Sequence, residues 1–200
     1  ICIEPLRDRQ LVISLALEVP GSLVIVNHPN WEASFTHCRH DDLQAWQGYC
    51  GIEIYNGLVD CGEGSALATD HWDRLLSRGR RAWGFANDDL HDRPHCGAAW
   101  NMVYAKQRTV AGVVDALAKG RFYASTGVTI DRIAVEGTRI TIESRDADRI
   151  AMYGRHQRRL ARVDGRSMSI EYPAGEPYVR FECLGRGGRC AWTQPFFLAE

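Results

Sequence analysis

The sequence predicts an α/β protein in two parts, a parallel sheet with helical crossovers followed by an antiparallel β-sandwich. Up to Ser125, candidate helices alternate with apolar, β-branched strands at intervals of about 20 to 30 residues, the spacing of strand–helix–strand units. After Val128 the chain contains only short alternating strands separated by glycine-containing turns, a pattern typical of small sandwiches. We therefore expect the α/β part in residues 1–127 and the sandwich in residues 128–200.

Composition limits the kinds of partner that this chain can have. The 200 residues include 24 lysines and arginines against 25 aspartates and glutamates, so charge gives no basis for the capture of nucleic acid or of an anionic membrane. The seven cysteines are scattered and never spaced C-x-x-C, which argues against a disulfide scaffold and a zinc knuckle. No apolar run reaches the length of a membrane helix. We expect a cytoplasmic protein that acts on a small-molecule substrate.

The first elements place a histidine at the end of a strand. A helix is predicted over residues 9–19 and ends at Pro20 and Gly21. The apolar, β-branched run 22–27 then predicts a buried strand that leads into His28-Pro29. Because proline does not continue a central strand, His28 is expected where the chain leaves the sheet. A role in capping the strand and a role as a metal ligand both remain open for His28.

The following elements add a carboxylate and the remaining parallel strands. After a short predicted helix over 41–49, residues 51–57 are expected to form a strand with Glu53 and Tyr55 on one face. A buried carboxylate is costly unless it is paired or near a cation, so Glu53 either has such a partner or lies on a solvated edge. A helix over 70–77 precedes a strand that begins at residue 81. A strand at 100–105, a helix at 110–119 and a strand at 121–125 complete the predicted parallel series.

The strand that begins at residue 81 leads into Asp89 and, two residues later, His91. Along an extended backbone both side chains point to the same side. Imidazole and carboxylate together suit Zn, Mn or Fe, and α/β proteins bind ligands at the carboxyl ends of their parallel strands. Because His28 and Glu53 are expected at that same edge, hydrolysis by a metal-activated water is the predicted chemistry. The G-x-S-x-G, Walker and G-x-G-x-x-G motifs do not occur in the required context.

Four segments resemble, in order, the second half of a PHP domain, the polymerase and histidinol phosphatase superfamily. They are V-I-V-N-H-P at 24–29, G-I-E-I-Y-N-G at 51–57, G-F-A-N-D-D-L-H at 84–91 and G-R-F-Y-A-S-T-G at 120–127. The resemblance implies the C-terminal portion of a distorted (β/α)7 barrel, two or three divalent ions and phosphoester hydrolysis. It also implies His28, Asp89 and His91 as direct metal ligands, with Asp89 and His91 catalytic. Glu53 and Asn56 would line the pocket behind the ligands or contact the substrate.

The resemblance also concerns the two ends of the chain. The sandwich is similar to the tail of stand-alone PHP hydrolases close to the carbaryl-hydrolase-like branch. The family's opening His-x-His motif has no counterpart, and the chain begins at Ile1 without methionine, so we expect upstream ligands to be missing and the isolated chain to be inactive. Arg93 follows the metal-binding strand, and it either orients a phosphate through its planar guanidinium or is an ordinary surface arginine.

Two alternatives to phosphoester hydrolysis remain. The same site suits a carboxyl ester or a carbamate, because both reactions use a metal-activated water. Alternatively, the sandwich is a binding module that contacts a sugar or a protein partner through Tyr178, Trp192 and Phe196. The loop histidines His37, His40 and His95 are expected to be solvated, and contact with the substrate remains the alternative for each.

Overall fold

The computed structural model describes residues 8–32, 37–62 and 64–197. A three-stranded parallel sheet has the order β1-β2-β3 and consists of Ile25–Val26, Gly51–Asn56 and Trp83–Asn87. The helices are α1 Arg9–Leu17, α2 His40–Ala45, α3 Thr69–Ser77 and α4 Val110–Ala118. As the alternation in the sequence predicts, α2 and α3 are the crossover connections of this sheet. None of the helices in the described ranges is long and apolar enough to cross a membrane.

Side-chain amides, rather than a fourth strand, pair with the outer edge of β3. Asn101 Oδ1 accepts the backbone N–H of Ala86 at 3.1 Å, and Asn101 Nδ2 donates to the Ala86 carbonyl oxygen at 2.9 Å. The Gln194 amide makes the same two bonds to the backbone of Gly84, each 2.8 Å long. Each amide takes the place of one step of a β-ladder, so these buried backbone groups are satisfied without another strand.

The two strands after β3 do not continue the parallel sheet. β4 Trp100–Val103 and β5 Phe122–Ser125 pair antiparallel with each other, and β5 also pairs antiparallel with β12 Cys190–Thr193. The prediction that both belong to the parallel series is therefore wrong, because an apolar run indicates a strand but not its direction. The described residues form a mixed α/β fold with antiparallel sheets and four α-helices, in which a (β/α)7 barrel is not shown.

The short strands predicted after Val128 are present, and the described residues contain seven of them. They are β6 Ile130–Glu136, β7 Arg139–Ser144, β8 Ala147–Gly154, β9 Arg158–Asp164, β10 Ser167–Glu171, β11 Arg180–Gly185 and β12. One antiparallel sheet has the order β10-β7-β6, and the other has the order β4-β5-β12-β11-β8-β9. Buried Ile142 of the smaller sheet shares a core with Ile150 and Phe181 of the larger one, so the sheets pack face to face. The larger sheet takes strands from both sides of residue 127, and the division of the chain there stays a prediction.

A buried ion pair joins α3 to the larger antiparallel sheet. Arg180 on β11 is fully buried, and its guanidinium forms two bonds with the Asp73 carboxylate on α3, one of them from Nε to Oδ1 at 3.0 Å. The Tyr178 hydroxyl donates to the same Asp73 oxygen at 2.7 Å. Arg180 Nη1 also donates to Glu182 Oε1 at 2.6 Å. Because Asp73 is buried as well, removal of Arg180 would leave the Asp73 carboxylate without a cation, whereas removal of Asp73 would leave Arg180 with Glu182 alone.

Two of the three aromatic residues considered as a binding surface of the sandwich lie in the interior. Tyr178 is completely buried and Trp192 is 4% exposed. Phe196 packs edge-to-face against Phe181, with ring centroids 5.8 Å apart. The prediction that Tyr178 and Trp192 belong to a contact surface is wrong, because both rings are buried in a core of the protein. Phe196 is half-buried, so its part in such a surface stays a prediction.

Candidate functional site

The carboxyl ends of β1, β2 and β3 bring four of the predicted residues together. His28 follows β1, Glu53 and Asn56 lie on β2, and Asp89 follows β3. The backbone N–H of His28 donates to Glu53 Oε2 at 2.6 Å. Asn56 Nδ2 donates to Glu53 Oε2 at 2.8 Å and to Asp89 Oδ2 at 3.1 Å. One continuous hydrogen-bond network therefore connects the three strand ends.

Glu53 is the centre of this network. Its side chain is 2% exposed, and its second oxygen, Oε1, accepts Asn87 Nδ2 at 2.6 Å. Burial raises the pKa of Glu53, and the hydrogen bonds from Asn56, Asn87 and the His28 backbone oppose part of that effect. Glu53 is thus not on a solvated edge, and uncharged N–H groups supply the partners that its burial requires.

A β-bulge explains why Glu53 and Asn56 face each other. Residues three apart in a regular strand point to opposite faces, but the register of β2 against β3 shifts between Glu53 and Tyr55. Tyr55 stacks on Trp192 instead, with ring centroids 6.2 Å apart. The prediction that Glu53 and Tyr55 share a face is wrong, because the bulge interrupts the alternation of the strand.

Two of the predicted ligands have strained backbones. His28 has φ 31° and Asp89 has φ 55°, in the left-handed region that non-glycine residues enter at a cost of roughly 1–3 kcal/mol. Each follows a strand of the parallel sheet, and each is held by a hydrogen bond from or to the Glu53–Asn56 pair. Such strain concentrates at functional sites, where the surrounding structure enforces it.

His37 belongs to this site and is not the solvated loop residue that its position in the sequence predicts. Its Nδ1 lies 2.7 Å from His28 Nδ1, and the two rings stack with centroids 4.5 Å apart. The ring of Trp31 meets the His28 ring edge-on at 5.1 Å. At the observed nitrogen–nitrogen distance one Nδ1 donates a hydrogen and the other accepts it, so at least one imidazole is neutral. No spacing rule links His37 to a strand end, because it comes from a loop.

Both histidines of this pair favour the neutral form. Burial lowers the pKa of His28, and the negative charge of Asp89 opposes this in part. Burial also lowers the pKa of His37, and the neighbouring His28 lowers it further. A histidine whose pKa lies below its usual range is uncharged at neutral pH, which is the form that binds metals or accepts a proton.

The structure leaves His91 and Arg93 at the surface. The His91 side chain is 64% exposed, and its Nδ1 lies 2.7 Å from the backbone oxygen of Asp89 and 3.7 Å from Asp89 Oδ1. Arg93 begins the exposed 3-10 turn Arg93–His95. β3 ends at Asn87 and the left-handed turn at Asp89 follows it. The expected extended geometry of the Asp-x-His pair is therefore wrong.

The side chains at this edge are of the types that bind a divalent transition metal, but they are too few to form a complete metal site. The imidazoles of His28 and His37 and the carboxylate of Asp89 are ligands that Zn, Mn or Fe accepts. Among the described residues, no group of three His, Cys, Asp or Glu side chains is arranged to hold one ion. Zinc sites use three or four protein ligands, so the predicted set with His91 is not a complete metal centre within the described part of the chain.

Two asparagines behind Glu53 were not identified from the sequence. Asn87 Oδ1 accepts Asn101 Nδ2 at 3.0 Å, and both ends of the Asn101 amide are bound to the backbone of Ala86. These bonds determine which end of the Asn87 amide faces Glu53. The available signal was the position of Asn87 at the end of a buried apolar strand, directly opposite Asn56 in the parallel register.

No protein-family model matches the chain, and no curated protein matches it. Its fold is similar to the crystal structure of a two-domain protein from Bacteroides vulgatus that contains a predicted PHP-like metal-dependent phosphoesterase. The two share 16% sequence identity with a TM-score of 0.44, over 96% of this chain. The present chain spans 66% of the length of that protein.

Proposed function

We propose that the edge formed by β1, β2 and β3 is the active site of a metal-dependent hydrolase that acts on a small phosphoester. The observation that carries the proposal is the network at the three strand ends, in which buried Glu53 connects the His28 backbone, through Asn56, to Asp89. Open parallel sheets bind their ligands at this end. The PHP-like motifs in the sequence supply the reaction class.

The residues of the network have separate roles in this proposal. His28 and Asp89 would contribute to the binding of a divalent ion, Zn, Mn or Fe, together with ligands outside the described residues, and His37 would orient the His28 ring through the contact between their Nδ1 atoms. Such an ion, or a cluster of two or three, lowers the pKa of a bound water and polarises a phosphoryl oxygen. Asn56 orients the Asp89 carboxylate by donating to Oδ2. Glu53 holds the backbone of His28 in its strained conformation.

The remaining predicted residues act from the exposed turn after β3. His91, whose ring contacts Asp89, is proposed as a further ligand and catalytic residue once an ion is bound. Arg93 on the adjacent turn is proposed to pair with the substrate phosphate, for which a planar guanidinium is suited.

Metal content and turnover of the protein as it is isolated from its natural source test the proposal. We expect a bound transition metal that is lost in Asp89→Asn, together with loss of phosphoester turnover. Asn56→Ala should weaken metal binding or activity by about 10–100-fold, the usual effect of removing a group that orients a metal ligand. Asp148→Asn, which changes an exposed carboxylate on β8, is the matched control and should retain both. A metal-free protein whose turnover survives Asp89→Asn would refute the proposal.

The bond that is hydrolysed is a separate question. Phosphoesters, carboxyl esters and carbamates all require an activated water, so the residues at this edge suit each of them. A panel of phosphomonoesters, phosphodiesters, carboxyl esters and carbamates distinguishes the three classes. We expect turnover of phosphoesters, and turnover of carboxyl esters or carbamates alone would replace the phosphoesterase assignment with the alternative.

A further inference from the structure

A second cleft lies between α2, α3 and the turn Arg155–Gln157. It encloses about 440 Å³ and is lined by Arg39, His40, Asp41, Arg74, Ser77, Arg78 and His156. None of these residues takes part in the hydrogen-bond network at the ends of β1, β2 and β3. The cleft is therefore a separate feature of the molecule.

Positive charge dominates this cleft. Its lining contains three arginines, Arg39, Arg74 and Arg78, and the single carboxylate among the described lining residues is Asp41. Arg78 Nη1 and Asp41 Oδ1 are 3.9 Å apart, and the Asp41 side chain is almost fully exposed. Because solvent screens such an exposed ion pair, Asp41 neutralises little of the positive charge of the cleft. Clustered arginines that are not neutralised by nearby acids attract anions.

His40 adds an unusual feature, because both nitrogens of its ring are buried without a partner. Neither Nδ1 nor Nε2 forms a hydrogen bond with any described residue, although buried polar atoms of native proteins are nearly always paired. Burial lowers the pKa of His40, the neighbouring Arg78 and Arg74 lower it further, and the Asp41 carboxylate opposes part of this effect. An anion in the cleft would offset the positive charges beside the ring.

The opposite wall of the cleft is a strained turn. His156 and Gln157 have left-handed backbones, with φ 58° and 57°, a conformation that non-glycine residues hold only when the surroundings enforce it. The backbone N–H of His156 donates to Ser77 Oγ on α3 at 2.8 Å. This bond fixes the turn against the end of α3, so the wall is in place before any ligand arrives.

We propose that this cleft binds the phosphoryl group of a small phosphorylated molecule. Arg74 and Arg78 pair with its oxygens, since a guanidinium matches the geometry of a phosphate, and the ring of His40 lies beside them in the wall of the cleft. The cleft volume of 440 Å³ exceeds that of a phosphate and falls within the range of about 300–1,000 Å³ for small-molecule sites. There is accordingly room for an organic portion beside the phosphoryl group.

Isothermal titration calorimetry of the chain in EDTA, with inorganic phosphate and with phenyl phosphate, tests this proposal. We expect saturable binding that Arg74→Gln or Arg78→Gln weakens roughly tenfold or more, the effect of one lost charge-assisted hydrogen bond. Arg162→Gln removes the same charge from the exposed face of β9, where Arg162 pairs with Asp164, and should leave binding unchanged. The proposal is overturned if neither compound binds, if the cleft variants bind normally, or if Arg162→Gln weakens binding equally.

Two further measurements locate the bound anion and identify its source. The imidazole resonances of His40 should shift on saturation with phosphate, and an unmoved His40 signal would overturn the assignment to this cleft. Binding should persist in His37→Gln, which alters the proposed hydrolytic site, so the result does not depend on whether that site is catalytic. Tighter binding of phenyl phosphate would support a phosphorylated organic ligand, and equal binding would support free phosphate.

Discussion

Replacing Glu53 with glutamine tests whether one carboxylate organises the candidate site. The substitution preserves shape but converts one acceptor into a donor. Oε2 accepts two N–H groups, so we expect the amide oxygen to take that position and the new NH2 group to face Asn87 Nδ2, a donor at 2.6 Å from the present oxygen. The Asn87 amide is not free to turn, because its Oδ1 accepts from Asn101, which is bound at both ends to Ala86.

The expected loss of stability follows from these contacts. One charge-assisted hydrogen bond disappears and a buried donor is left without an acceptor, which together cost roughly 2–4 kcal/mol. The neutral amide avoids the desolvation that raises the pKa of Glu53, so we expect a net decrease of about 1–3 kcal/mol in the free energy of unfolding. Urea denaturation in EDTA measures it. Glu18→Gln, at an exposed position, is the matched control and should change stability by less than about 0.5 kcal/mol.

A compensating substitution makes the test specific to this network. Asn87→Asp in the Glu53→Gln background places an acceptor opposite the new amide and still accepts from Asn101, so the double variant should recover most of the lost stability. Asn87→Asp alone places a second carboxylate next to Glu53, where a hydrogen bond now spans 2.6 Å. This variant should be less stable than both the Glu53→Gln variant and the double variant. If Glu53→Gln is as stable as the wild type, or if the double variant is no more stable than the single one, the assigned network is incorrect.

Three other predictions follow from the fold and the site. Asp73→Ala should lower the free energy of unfolding by about 2–4 kcal/mol, because the buried guanidinium of Arg180 loses two charge-assisted hydrogen bonds and keeps only the Glu182 carboxylate as its partner. A loss below about 1 kcal/mol in urea denaturation would contradict this. Gln194→Leu should lower the free energy of unfolding by roughly 2–4 kcal/mol, because the buried N–H and C=O of Gly84 lose their partners. Hydrogen exchange at the Gly84 amide should accelerate, and an unchanged exchange rate would argue against the pairing with Gln194. The isolated 200-residue chain, reconstituted with Mn or Zn, should not turn over phosphoesters, because its described residues supply no complete set of metal ligands. If the chain does turn over a phosphoester and Asp89→Ala abolishes that activity, the prediction is wrong and the residues of the chain suffice for catalysis.

Local periodicity determined most of the secondary structure. The strands after Val128 are short alternating runs between glycine-containing turns, and the part of the chain that the structure describes contains seven of them. The four helices occupy the predicted segments, with ends that shift by a few residues. Position relative to the strands also placed His28, Glu53, Asn56 and Asp89 near one edge, because parallel strands share the direction of their carboxyl ends.

Only the tertiary structure decided how these elements combine. The direction of β4 and β5 depends on pairing with each other and with β12, far away in the sequence, and hydrophobic pattern carries no such information. The bulge that turns Asn56 toward Glu53 interrupts the strand without any marker such as glycine or proline between them. His37 reaches His28 from a loop, and Arg180 meets Asp73 across 107 positions of chain. Periodicity is a property of neighbouring residues, whereas these contacts arise from long-range packing, so the sequence determined the elements and the fold determined the site.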